Sequence, residues 1–510
     1  MERASYLYFD RCAGCHGVLR KGATGPALTV KETSEIGQGM LRSFISDGTE
    51  AGMPAFLQEG ILSAEEVDLL SRFLLKEPPS PPEMSMEKIK QSWKVAVPPD
   101  QRPKAPLHTR NWQNFMGVVL RDAGKVAIID GDTKELVSLI GTGHAVHILR
   151  SSATGRYFYS IGRDGKVTLI DLWMNPPQMV AELKVCYDAR SVESSKYKGP
   201  AGDFLDRYLV VGGYWPPLLA VLDGQTLEPL KLLSTRGYTY DSGEYVQEAR
   251  VASIVASHHD PLWVVNIKET GQTWLVDYSD IKNLKVCMIE TERFLHDGGW
   301  ESTKRYFIVA ANMRDRLAVV DTVDRKLVTL VDVGTKPHPG RGANLVHPEF
   351  GPLWCTGHLG DNSLAFIGTD PVNYPQHAWK VVARPRMPGD AGGNLFVKTH
   401  PGSKWIFADR PLAPDPAQNR KIYVFDKNTL QFAREIEIPV SYARAKPVHF
   451  DFNKAGDEIW VSLWGASKTE PTAILIYDQA TLNLKHEIKG DWVITPTGHF
   501  NVHNTAGDVY

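Results

Sequence analysis

The sequence predicts a small all-α domain followed by an all-β, eight-bladed β-propeller. Three observations predict it: a capped helical segment that ends at a proline cluster, a hairpin motif that recurs eight times, and the length. The chain has 510 residues. At about 100–200 residues per domain, that is too many for one small core. Residues 1–77 read as helical. Ser63-Ala-Glu-Glu66 is a capping box, whose Ser hydroxyl and Glu carboxylate satisfy the first N–H groups of a helix. Val67, Leu70 and Leu74 then share one helical face. Pro78-Pro-Ser-Pro-Pro82 stops that helix, because proline lacks the N–H and clashes with the preceding turn. A Pro- and Lys-rich linker is expected over residues 78–108.

From residue 109 to 510 the pattern changes to strands. An apolar run reaches an Asp, a short polar turn follows, and a second apolar run returns. The copies end at Asp130, Asp171, Asp223, Asp277, Asp321, Asp370, Asp426 and Asp478. Many continue alike, as in DGQTLEPLKL and DKNTLQFARE. Each copy reads as one β-hairpin whose Asp accepts turn N–H bonds. A spacing of about 40–58 residues is that of a four-stranded propeller blade, so eight copies imply eight blades. Such a ring leaves a central channel in which a large ligand can sit.

Cys12-Ala-Gly-Cys15-His16 is a C-x-x-C-H motif. Two thiols on one helical turn can form thioethers to the vinyl groups of a haem, and the adjacent His lies under the iron. A redox dithiol would need a thioredoxin-like context, and a zinc site a second Cys/His pair; the sequence offers neither nearby. The motif therefore reads as covalent haem c with His16 as proximal ligand. Met40 and Met53 are both candidates for the sixth ligand. Cys186, Cys287 and Cys355 read as buried thiols, since five cysteines over this length are no disulfide framework.

Composition excludes other classes. Lys+Arg is 57 against 59 Asp+Glu, a net charge of −2, which argues against a polyanion binder driven by bulk charge. No apolar run reaches the roughly 18 residues that a spanning helix needs. Met1 is followed at once by Glu2 and Arg3, with no apolar leader pattern.

The strings GVLRKGATGPALT, GRDGKVTLIDLW, GGYWPP, TLEPLKLLSTRG, ERFLHDGG, PHPGRGANLVHPEFGPLW and TPTGHFNVHNT resemble the cytochrome cd1 nitrite reductases, and the resemblance runs from about Tyr8 to Tyr510. It implies a cytochrome c domain and a propeller that holds a non-covalent haem d1. It also implies a periplasmic homodimer that reduces nitrite to nitric oxide, fed by a small cytochrome c or cupredoxin. Covalent haem points to the same compartment.

Residue by residue, the resemblance favours Met53, in AGMPAF, as the haem c ligand. It makes His147 the proximal ligand of haem d1, with the neighbouring His144 as rival, and His296 and His338 the distal pair. Arg150, Arg163, Arg190, Ser191, Tyr214, Arg341, Thr497 and Gly498 match positions that hold haem d1 side groups. His449 stands where the family carries a Gln, which changes the pocket's hydrogen bonding and adds a third titratable group. Arg121 faces either a haem d1 edge or a structural partner. His258, His259, His347, His358, His377, His400, His486, His499 and His503 read as turn or core residues. Only 11 residues precede Cys12, so an arm-borne Tyr reaching the pocket, common in the family, is not expected. Two rival functions share the plan: a dihydro-haem d1 dehydrogenase of cofactor assembly and a non-catalytic haem d1 carrier.

Overall fold

The computed structural model describes residues 2–23, 25–49, 53–58 and 60–510. Contacts divide the chain into two units, Met1–Glu83 and Met84–Tyr510.

In the first unit the helices are α1 (Glu2–Arg11), α2 (Ala13–His16), α3 (Val30–Asp47) and α4 (Ala64–Leu74). Gly37, at φ +77°, interrupts α3, a conformation that glycine adopts without a Cβ penalty. The capping box of α4 is formed: the Glu66 N–H donates to Ser63 Oγ (3.2 Å) and the Ser63 N–H to Glu66 Oε2 (3.0 Å). The core joins Ala4, Leu7 and Tyr8 of α1, Leu41 and Ile45 of α3, and Val67, Leu70, Phe73 and Leu74 of α4. Cys12 and Met53 pack against this cluster.

The second unit is the propeller. Residues 84–108 pack on it: helix α5 (Met86–Ser92) buries Ile89 there, and Lys94–Val95 pairs with the outer strand Gln178–Lys184. Eight antiparallel four-stranded sheets follow one another. Their innermost strands are β1 (Val146–Ser151), β2 (Asp188–Ser194), β3 (Val251–Ala256), β4 (Leu295–Trp300), β5 (Ala343–His347), β6 (Val397–Lys398), β7 (Lys446–Phe452) and β8 (Pro496–Asn501). β8 comes last in sequence but pairs with Met116–Leu120 of the first blade, and so closes the ring.

Blade interiors are apolar on both faces because each face meets a neighbouring blade. One core cluster joins Tyr159 and Val167 of one blade to Val192 and Leu209 of the next. Another joins Val210 and Leu219 to Val265 and Trp263. Each such fully buried Val or Leu contributes roughly 1.5–3 kcal/mol.

The eight recurring Asp residues end the third strands, and all eight accept turn N–H bonds. Asp223 Oδ1 accepts from Gln225 (3.0 Å) and Thr226 (2.8 Å), and Asp426 Oδ1 from Asn428 (2.8 Å) and Thr429 (3.1 Å). Asp130, Asp171, Asp277, Asp321, Asp370 and Asp478 do likewise. Cys186 and Cys355 are buried as expected, but Cys287 is only half-buried, because it lies on an outermost strand.

The inner strands are less regular. Six of the eight carry a register shift near their N-terminal end. The residues left out of the pairing include His147 on β1, Arg190 on β2, His296 and Asp297 on β4, His449 on β7 and Thr497 on β8. Tyr214, on the strand next to β2, is left out in the same way. A β-bulge frees a side chain from the in-out alternation and re-aims it.

Candidate functional site

In the small domain, Cys12 and Cys15 flank one helical turn, with their sulfurs unpaired. Burial first, then the neighbouring Cys15 and Asp10, pushes the Cys12 thiol up to about 12. It is therefore a neutral thiol and not the acidic thiolate of a redox dithiol. His16 is buried, and its Nδ1 lies 2.8 Å from the Pro26 carbonyl. That carbonyl can only accept, so Nδ1 carries the proton and Nε2 keeps its lone pair for a metal. Burial holds the His16 pKa below its ordinary value, with the Pro26 bond opposing. A Cβ at Gly25 would meet the ring at 2.9 Å, so glycine is required beside the imidazole. Met53 is half-buried at the core edge, and the Thr49 N–H donates to its carbonyl (3.0 Å). Met40 is exposed on α3. Ala51 and Gly52, which flank Met53, lie outside the described residues. The residues fit a covalent haem.

In the propeller, the candidate residues collect on the bulged ends of the inner strands. His147 projects from β1 with its ring open to the channel yet enclosed by surrounding protein. That enclosure, then the Arg190 and Arg163 cations, hold its pKa well below the ordinary value. It is neutral, with a lone pair available. His144 is exposed beyond the start of β1.

The arginines are mounted in pairs. Arg163 (3.2 Å) and Arg190 (3.3 Å) both meet Asp188, while Arg341 (3.7 Å) and Arg150 (4.0 Å) both face Glu193. Arg190 also stacks over the Tyr214 ring, 4.9 Å from its centroid. Four guanidiniums against two carboxylates leave an excess of positive charge. The buried Nε of Arg150 and Oε2 of Glu193 have no hydrogen-bond partner among the described residues. Burial, with Arg341 adding, lowers the Arg150 pKa to about 10. This donor set suits a ligand with several carboxylates, for which Arg offers bidentate pairing. Ser191 is buried on β2 opposite Gly212, and Gly498 on β8 opposite Val119. Arg121 pairs with its neighbour Asp122 (3.0 Å).

His296 and His338 come together, with ring centroids 4.9 Å apart. Asp297 stands between them: Oδ1 is 3.2 Å from His296 Nδ1 and Oδ2 is 3.5 Å from His338 Nε2. Burial pushes the His296 pKa down to about 4, and Asp297 opposes that shift. Burial would raise Asp297, but His296, His338 and Arg341 outweigh it and hold the carboxyl below the usual carboxylate range. His338 Nδ1 lies 2.8 Å from the Leu395 carbonyl, so that nitrogen carries the proton and Nε2 faces the site.

Asp297 was not among the sequence candidates, although it directly follows His296 in FLHDGG. An Asp after a His on a regular strand would point away; only the bulge brings both to one side. Of the histidines read as core or turn residues, His358 and His499 are fully buried and hydrogen-bonded, and His486 is exposed.

Fold and site together define a class: a propeller of the haem d1 kind carried behind a c-type cytochrome domain. Residues 110–505 match the family model "Cytochrome D1 heme domain", and residues 1–74 match "Cytochrome C oxidase, cbb3-type, subunit III". The chain is 49% identical to the nitrite reductase of Stutzerimonas stutzeri, over 100% of this chain and 94% of that protein. It is 25% identical to the dihydro-heme d1 dehydrogenase of Pseudomonas aeruginosa, over 98% of this chain and 94% of that one. A solved dihydro-heme d1 dehydrogenase in complex with DHE shares the fold, with TM-score 0.73 and 24% identity, covering 99% of this chain and 100% of that one. The chain belongs to the cytochrome cd1 nitrite reductase family. No helix among the described residues is long and apolar enough to cross a membrane.

Proposed function

We propose that the protein reduces nitrite by one electron to nitric oxide: NO2− + 2H+ + e− gives NO + H2O. The observation that carries this reading is the His296–Asp297–His338 cluster, two imidazoles bridged by one carboxylate. Haem c and haem d1, when bound, would supply the electron relay and the iron at which nitrite is reduced. His16 and Met53 would hold haem c, attached through Cys12 and Cys15. His147 would hold the haem d1 iron. Arg150, Arg163, Arg190 and Arg341 would pair its carboxylates, with Ser191, Tyr214, His449, Thr497 and Gly498 lining its edge.

The distal cluster has to deliver two protons. His296 is neutral at neutral pH, since burial depresses its pKa. An anion arriving beside it raises its proton affinity, so proton uptake is coupled to substrate binding. Asp297 supplies the counter-charge that lets two imidazoles so close together both hold protons. His338, fixed at Nδ1 by Leu395, presents only Nε2 for transfer. Protonating an oxygen of nitrite lets it leave as water when the N–O bond breaks. Periplasmic location, a homodimer, and a small cytochrome c or cupredoxin donor belong to the same proposal and rest on the family relationship.

The deciding experiment is an anaerobic titration of the reduced protein with one equivalent of nitrite, followed by visible absorption. A haem c band and a separate long-wavelength band that shifts at once to a nitrosyl form are expected. A long-wavelength band that ignores nitrite but responds to a precursor tetrapyrrole would replace this reading with the dehydrogenase.

A further inference from the structure

We infer that Asp409 is the positioning residue for both His338 and His449. It lies just after the strand Trp405–Ala408 of the seventh blade and is fully buried. Its Oδ1 accepts the N–H groups of Leu395 (2.8 Å) and Phe396 (2.9 Å) and the side-chain amide of Asn394 (3.3 Å). Its Oδ2 accepts the N–H of His449 (3.0 Å). One carboxylate thereby fixes two backbone segments. The first is the 394–396 loop, whose Leu395 carbonyl holds His338 Nδ1 at 2.8 Å. The second is the bulge of β7, where His449 is held at φ +54°, an unusual conformation for a residue with a Cβ. Phe396 stands edge-on to both rings, its centroid 6.1 Å from that of His338 and 4.6 Å from that of His449. Asp409 touches neither imidazole by its side chain, and acts on both through main chain. Four N–H groups converge on a carboxylate whose burial opposes its ionisation, an arrangement that only a fixed geometric role requires.

The inference rests on the reading of His338 as a proton donor, and the test separates the two. In D409N the amide oxygen faces the three donors of the 394–396 loop, and its NH2 is set against the His449 N–H. That variant loses the His449 arm and keeps the His338 arm, whereas D409A loses both. The measurements are crystal structures of the two holoenzymes, with kcat and KM for nitrite on each. In D409A the His338–Leu395 bond is expected to open and kcat to fall about 10-fold, with KM within twofold, since a misplaced donor costs turnover more than binding. In D409N the His449 main chain is expected to relax, with kcat within about threefold. A D409A structure with His338 in place, or a D409N structure with His449 unmoved, overturns the assignment. If D409A does not fold, D409N decides alone. If neither folds, Asp409 is a folding residue and the assignment falls. A displaced His338 with wild-type turnover would support the positioning role and sink His338 as the donor.

Discussion

The two edges of a blade behave differently. At the outer edge the third and fourth strands form hairpins closed by the same Asp turn, eight times over. At the inner edge six strands break register, and the residues expelled from pairing are largely those assigned to the cofactor and the substrate. The outer edge repeats because it answers only to local turn chemistry. The inner edge departs from repetition because it must present a different side chain from each blade to one asymmetric ligand. A regular ladder holds the ring, and the strain of irregularity is confined to the rim of the channel.

That contrast can be broken or sharpened by mutation. The largest effect is expected from His338→Ala, which should lower nitrite turnover by roughly 10²-fold while the long-wavelength haem band is retained; a steady-state assay with a pyridine haemochrome control checks it. Next is Asp297→Asn. The carboxylate raises the His296 pKa, so its removal should lower that pKa further and move the loss of activity toward lower pH. At pH 7 the rate should fall about 10-fold and recover partly on acidification, read from a pH–rate profile.

A smaller effect concerns stability. His499 is fully buried beside the inner rim, and burial holds its pKa down at about 3. Unfolded, it would titrate near 6.5. Between those values the unfolded chain binds the extra proton, so its contribution is complete above about pH 6.5 and is lost as pH falls toward 3. The melting temperature should drop from pH 7 to pH 5, and His499→Gln should flatten that slope. The smallest effect is at the outer edge. Asp426→Ala removes two turn bonds and should cost about 1 kcal/mol by denaturant melting, with nitrite turnover unchanged.

Legibility in the sequence follows the same division. The Asp-turn hairpins are contiguous, so their count and spacing could be read directly and gave the blade number. The C-x-x-C-H motif is equally local, and the Pro26 carbonyl that orients His16 is only ten residues away. Ser63 and Glu66 announced their helix for the same reason. The bulges were not legible, because a one-residue slip is decided by the partner strand and not by the strand that carries it. Asp297 was hidden by that slip. Asp409 was hidden because its influence passes through amides of Leu395, Phe396 and His449, groups every residue owns.

Closure of the ring by β8 sets an order of events in biogenesis. Thr497 and Gly498 ride on the last strand to be synthesised, and that strand is also the inner edge of the first blade. Until it docks, the first blade lacks its channel wall and the cofactor pocket is open along one side. Insertion of the macrocycle therefore has to wait for the end of the chain, and a stalled or clipped product would yield a cytochrome that takes electrons with nowhere to send them.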